Sequence, residues 1–255
     1  MNHLTEKDVS SIKYEIKNGR LTLSGIRTYL IGLFFYSGFT VGLAFFVANA
    51  NTVGWENLSR NWHILFILEA ILFAIHALAL LLCRGNNNIN QKILMVCIVV
   101  FTYKTALDPF LTMTMFFKDR DVYKLYIPIV IFIILAGFII HILILTKWVK
   151  GLKLNRNNEK KTIMQKSVKW SFIFFILVIF TLIIQKGLLG NLELLFGIFI
   201  FTVLYIAFLI GVCEFIIATY CVFRFPSFVV NPPSQKKSQY VNPKNERKKK
   251  KRKKK

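Results

Sequence analysis

The sequence predicts an all-helical polytopic membrane protein, a bundle of six transmembrane helices with both termini in the cytoplasm. Three observations carry this reading. The composition is 55% hydrophobic and 15% aromatic over 255 residues, outside the range of a soluble domain. The apolar residues fall into six long runs. The basic residues between those runs alternate steeply in number from one loop to the next.

The division expected is a cytoplasmic N-terminal segment over 1–28, a membrane domain over 29–223 and a polybasic cytoplasmic tail over 224–255. Residues Met1 to Ser11 are mixed and charged, so no cleavable signal peptide is expected there. Ile12, Tyr14 and Ile16 then alternate with polar residues ahead of Asn18-Gly19, Leu21 and Leu23. Asn-Gly between alternating runs predicts a short β-hairpin. The alternative is an interfacial helix with Val9, Ile12 and Ile16 on one side.

The six runs are Tyr29–Asn49, Trp62–Cys83, Ile93–Phe117, Leu125–Leu145, Trp170–Ile184 and Leu194–Phe223. About 20 apolar residues cross a bilayer, so each reaches or approaches the needed length, the fifth being the shortest. The 25 phenylalanines suit lipid-facing helices better than a soluble core. Trp62, Tyr126 and Trp170 stand at run ends, where interfacial aromatics belong.

Orientation follows from lysine and arginine. One set of loops holds Lys7, Lys13, Lys17, Arg20 and Arg27, then Arg84 and Lys92, then eight basic residues from Lys147 to Lys169, then Arg224 and the tail. The opposite set holds Arg60, Lys118, Arg120, Lys124 and Lys186. The richer set belongs to the cytoplasm. The membrane expected is the cell membrane, or the endoplasmic reticulum in a eukaryotic source, where Arg252 to Lys255 resemble a dibasic retrieval signal.

The formal net charge of +22 is concentrated in the tail, which ends Arg247, Lys248, Lys249, Lys250, Lys251, Arg252, Lys253, Lys254, Lys255. A like-charge block of this kind is expected to be disordered and drawn to anionic lipid at the cytoplasmic face. Nucleic acid is not the expected partner, because the charge follows the topology of the loops. A membrane-protein partner is a second expectation, ranked below the lipid.

The runs also carry ionisable groups at depths where charge is costly. Lys104 and Asp108 lie near the centre of the third run, four residues apart and so on one helical face. Pro109 follows and leaves the Thr105 carbonyl without its helical donor. Glu69 is the expected additional partner of this pair. Glu69 and His76 on the second run, His141 on the fourth and Glu214 on the sixth complete a set at graded depths, as an ion or proton path would need. Small residues mark close helix approach: Gly38 and Gly42 form a GxxxG in the first run, while Ala207 and Gly211 share a stripe with Glu214 and Ala218 in the sixth.

No Walker A loop, HExxH or GxSxG is present, and the outward loops are too short for a catalytic domain. The cysteines Cys83, Cys97, Cys213 and Cys221 show no CxxC spacing and read as free thiols. Neither cofactor nor metal is expected. The functional expectation is therefore a non-enzymatic membrane factor with a binding, immunity-like or secretion-accessory role. The alternative is a secondary transporter or proton-coupled carrier using Glu69, Lys104, Asp108 and Glu214, and the third reading a membrane-embedded lipid-modifying enzyme.

Overall fold

The structure, a computed structural model, describes residues 4–50, 54–153 and 192–230. The fifth apolar run and the block Arg247–Lys255 lie outside the described residues. Six α-helices are described: α1 (Ser10–Asn18), α2 (Leu23–Ala50), α3 (Arg60–Leu82), α4 (Asn88–Asp119), α5 (Tyr123–Lys153) and α6 (Leu192–Arg224). Helices α2, α4, α5 and α6 contain the first, third, fourth and sixth apolar runs and α3 the second as far as Leu82, and all five are long and apolar enough to cross a membrane. The chain is thus a helical membrane protein. Its outer surface agrees, since Phe35 and Phe39 are 70% and 71% exposed, where a soluble protein would bury such rings.

The fold is arranged around α4. It is the least apolar and the most buried of the five long helices, and it packs on α2, α3, α5 and α6. Asn87 starts it by accepting the Asn90 amide at 2.7 Å, and the helix runs unbroken through Pro109 to Asp119. Hydroxyls tie neighbours to it: Thr112 Oγ1 donates to the Thr40 carbonyl of α2 at 2.8 Å, and Thr219 Oγ1 of α6 donates to the Met95 carbonyl at 2.9 Å. Such bonds hold helices together where lipid offers no competing water.

Helices α5 and α6 run parallel. Tyr126 at the start of α5 clusters with Leu194 and Ile198 at the start of α6, the Tyr205 hydroxyl donates to the Ile134 carbonyl at 2.8 Å, and His141 meets the Leu209 carbonyl further along. Lys153 and Leu192 consequently stand at opposite ends of the bundle. Gly137 lets these helices approach: a Cβ there would run into the Tyr205 ring.

The N-terminal segment corrects the hairpin expectation. Ser10–Asn18 is helical and Gly19 ends it, so Asn18-Gly19 terminates a helix rather than turning a strand. Glycine breaks a helix as readily as it permits a hairpin turn. The burial shows the helical spacing: Val9 and Ile16, seven apart, are buried, and Ile12 packs beside them. Helix α1 lies against the segment after α6, where Phe228 is buried. Gln91 holds that segment from α4, donating to the Phe228 carbonyl at 3.3 Å and accepting the Val230 amide at 2.8 Å. At the same end Arg27 donates to the Cys83 and Gly85 carbonyls at 3.0 and 2.8 Å, tying α2 to the turn that follows α3.

Tyr126 is a second correction. It is fully buried and stacked on Phe117 at 4.9 Å, not turned to an interface. Trp62 is half-buried beside Tyr123, and the Lys118 ammonium lies over both rings. All four cysteines are free thiols, with Cys97 the least buried.

Candidate functional site

Lys104 sits on the face of α4 between α2 and α3. Its ammonium donates to both Asp108 carboxylate oxygens at 3.0 Å and to Ser37 Oγ of α2 at 2.7 Å. Glu69 Oε2 of α3 lies 2.6 Å away, an ion pair whose angle falls outside hydrogen-bond geometry. Three helices therefore meet at one ammonium. The Lys104 and Asp108 side chains are 6% and 1% exposed and that of Glu69 13%, so the cluster sits at the protein interior with one side less enclosed. Thr105 Oγ1, next to the carbonyl that Pro109 leaves without a donor, is buried and has no hydrogen-bond partner among the described residues.

The arithmetic of the cluster is one ammonium against two carboxyl groups. Its three N–H donors serve the two Asp108 oxygens and Ser37, with Glu69 held as an ion pair, so Lys104 has no donor left over. Glu69 keeps acceptor capacity, because a carboxylate offers about four lone-pair sites. The cluster is closed to an incoming anion and open to an incoming cation.

Glu69 and Lys104 line a cleft of about 430 Å³ between α2 and α3. Gly38, Gly42 and Phe45 supply one wall at helical spacing, and Phe66, Ala70 and Phe73 the other, with Trp55 at the end. The two glycines behave differently. A Cβ at Gly38 would press on the Phe73 ring at 3.2 Å, whereas one at Gly42 would meet nothing within 4 Å. The GxxxG thus brings helices together at one glycine and opens space at the other.

The remaining ionisable groups do not join this cluster. His76 is buried in an aromatic stack, 4.0 Å from the Phe101 ring and edge-on to Phe34, and its Nε2 has no partner among the described residues. His141 belongs to a second polar centre among α4, α5 and α6. Its Nδ1 is 2.9 Å from the Leu209 carbonyl, and its Nε2 is 2.5 Å from the Tyr103 hydroxyl. A carbonyl only accepts, so Nδ1 carries the proton and Tyr103 donates to Nε2; Cys213 Sγ lies 3.3 Å from Nδ1. Glu214 pairs with Arg20 at 2.5 Å, near α1. In α6, Ala207 is exposed, and a Cβ at Gly211 would meet, among the described residues, only Phe215 at 4.0 Å. Among the described residues, that half of the stripe makes no close helix approach.

Ser37 and Tyr103 are contacts of the two polar centres that sequence reasoning passed over. Ser37 had a signal, the single serine of an apolar run, directly ahead of the GxxxG, but its depth relative to Lys104 depends on how α2 is rotated. Among the described residues, no three His, Cys, Asp or Glu side chains gather where they could hold a metal ion.

The chain matches no protein-family model, no curated protein and no solved structure.

Proposed function

We propose that this protein is a six-span membrane protein with both termini in the cytoplasm, and that it works there as a non-enzymatic binding factor. Two features support the span count and orientation: the alternating lysine and arginine bias, and the parallel course of α5 and α6, which leaves Lys153 and Leu192 at opposite ends. The cell membrane is its place, or the endoplasmic reticulum in a eukaryotic source. The basic block from Arg247 to Lys255 holds anionic lipid at the cytoplasmic face, each basic residue contributing about 1 kcal/mol near the surface.

One observation supports binding above the other readings. The buried charges close on one another at the floor of a cleft whose rim residues Gly42, Phe45 and Ala70 are exposed. A carrier using all the acids would be better served by linked groups, yet His141 and Glu214 have partners of their own. An immunity-like or secretion-accessory role is one in which such a binding factor operates.

The test is a photo-crosslinker placed at Ala70 on the rim and, as a control, at Leu143 on the outer face of α5, in native membranes. The expected result is one discrete adduct mass from Ala70 and only scattered lipid adducts from Leu143. Indistinguishable adducts from both positions, or pH-driven flux by the purified protein in liposomes, would overturn this reading.

A further inference from the structure

The cleft between α2 and α3 is more than apolar space, because its surface has a chemical sense. We infer that it takes an amphiphilic organic cation, an ammonium group joined to a compact apolar body; this rests on the binding reading above and names the class of ligand.

Size is the first ground. At about 430 Å³ the cleft falls within the range of small-molecule sites, roughly 300–1,000 Å³. The second ground is the lining. Phe45, Trp55 and Phe66 stand edge-on to one another, with centroids 5.2, 5.4 and 5.8 Å apart, and Phe73 continues the wall. Rings packed this way present π faces as well as edges, and π faces attract ammonium groups.

The third ground decides the sign of charge. Lys104 reaches the cleft, but its ammonium is occupied by Ser37, Asp108 and Glu69. An anionic ligand would find no free donor and would face the Glu69 carboxyl group. A cation would find Glu69 with acceptor capacity to spare, at the least enclosed side of the cluster. Its charge would balance the second carboxylate, which in a water-poor site otherwise lacks a counter-charge. Its apolar body would lie between the aromatic wall and Gly42, where an added side-chain atom would have nothing within 4 Å.

The experiment uses the full-length protein in detergent with Trp55 as its only tryptophan, the other three replaced by Phe. Trp55 fluorescence is titrated with benzyltriethylammonium and, separately, with benzenesulfonate, both water-soluble so that micelle partitioning is small. A saturable change with the cation and none with the sulfonate is expected. Glu69→Gln should weaken the cation about tenfold, the loss of one contact to a charged group. Gly42→Phe should abolish binding by filling the cleft while all charges stay in place, and covers the case in which Glu69→Gln fails to fold. Equal binding of cation and anion, no saturable change in a folded protein, or full affinity in Gly42→Phe would overturn the inference. So would competition by a short-chain phosphocholine as strong as that by the free cation, since the occupant would then be a lipid headgroup. A discrete crosslink at Ala70 without cation binding would leave the binding reading standing and remove only the ligand class.

Discussion

Lys104 on α4 and Glu69 on α3 are 35 residues apart and meet at 2.6 Å, while Asp108 holds the same ammonium at 3.0 Å. The lysine is thereby shared between a carboxyl group on its own helix and one on a neighbour. The two acids are unequal in what they lose when the cluster is cut.

That asymmetry makes the first prediction. Lys104→Met leaves two carboxyl groups facing each other with no cation between them, and should destabilise by about 3–5 kcal/mol. Asp108→Asn leaves Lys104 with Glu69 and Ser37 and should cost less. The double change Lys104→Met with Asp108→Leu still strands Glu69, so recovery requires Glu69→Leu as well. Thermal unfolding in detergent, followed by intrinsic fluorescence, ranks the four proteins. A Lys104→Met variant that melts no earlier than Asp108→Asn would show that the lysine does not hold the cluster together.

Gly137 gives the second prediction. Gly137→Ala forces the Tyr205 ring off the α5 backbone and breaks or lengthens its bond to the Ile134 carbonyl. Overpacking of this kind costs about 1–3 kcal/mol. In a Tyr205→Leu background the same change should cost markedly less, which a double-mutant comparison of melting temperatures would reveal. Equal losses in both backgrounds would show that the contact is not the cause.

The third prediction concerns pH at the α1 end. Glu6 accepts from Lys13 at 2.6 Å and from the Ser227 hydroxyl, and these donors hold its carboxyl below the usual glutamate range. Because the folded value is the lower one, docking is fully supported above that usual range and weakens as pH falls through it. Spin labels at Ser11 and Val230 should therefore report a broadening distance distribution on acidification. Glu6→Gln should be broader at neutral pH and change little with acid. A distribution in the parent that ignores pH would remove Glu6 from this role.

Parts of this architecture were legible beforehand for identifiable physical reasons. A lysine and an aspartate four apart inside an apolar run could hardly face lipid, so α4 had to be central. Glu69 was legible as their partner because it is the single acid in α3. Where the chain is apolar on every side, the pattern no longer says which face turns inward. Tyr126 illustrates this: an aromatic at a span end can reach the interface or the core, and it packs on Phe117. Asn18-Gly19 misled because one dipeptide serves two kinds of chain reversal, and the burial of Val9 and Ile16 decides between them. The Tyr103–His141–Leu209 centre draws on three helices, and no short window of sequence contains it.

The shared lysine also bears on how the chain enters its bilayer. Helix α4 reaches the membrane with Asp108 already beside Lys104, carrying its own counterion. Helix α3, made earlier, brings Glu69 alone and has no cation to meet until α4 arrives. Only the few residues from Cys83 to Asn87 separate the two helices. They are therefore suited to enter as a pair, with the charge of one stabilising the passage of the other. A nascent chain cut short between them would hold a solitary acid in hydrocarbon and present itself to quality control as unfinished.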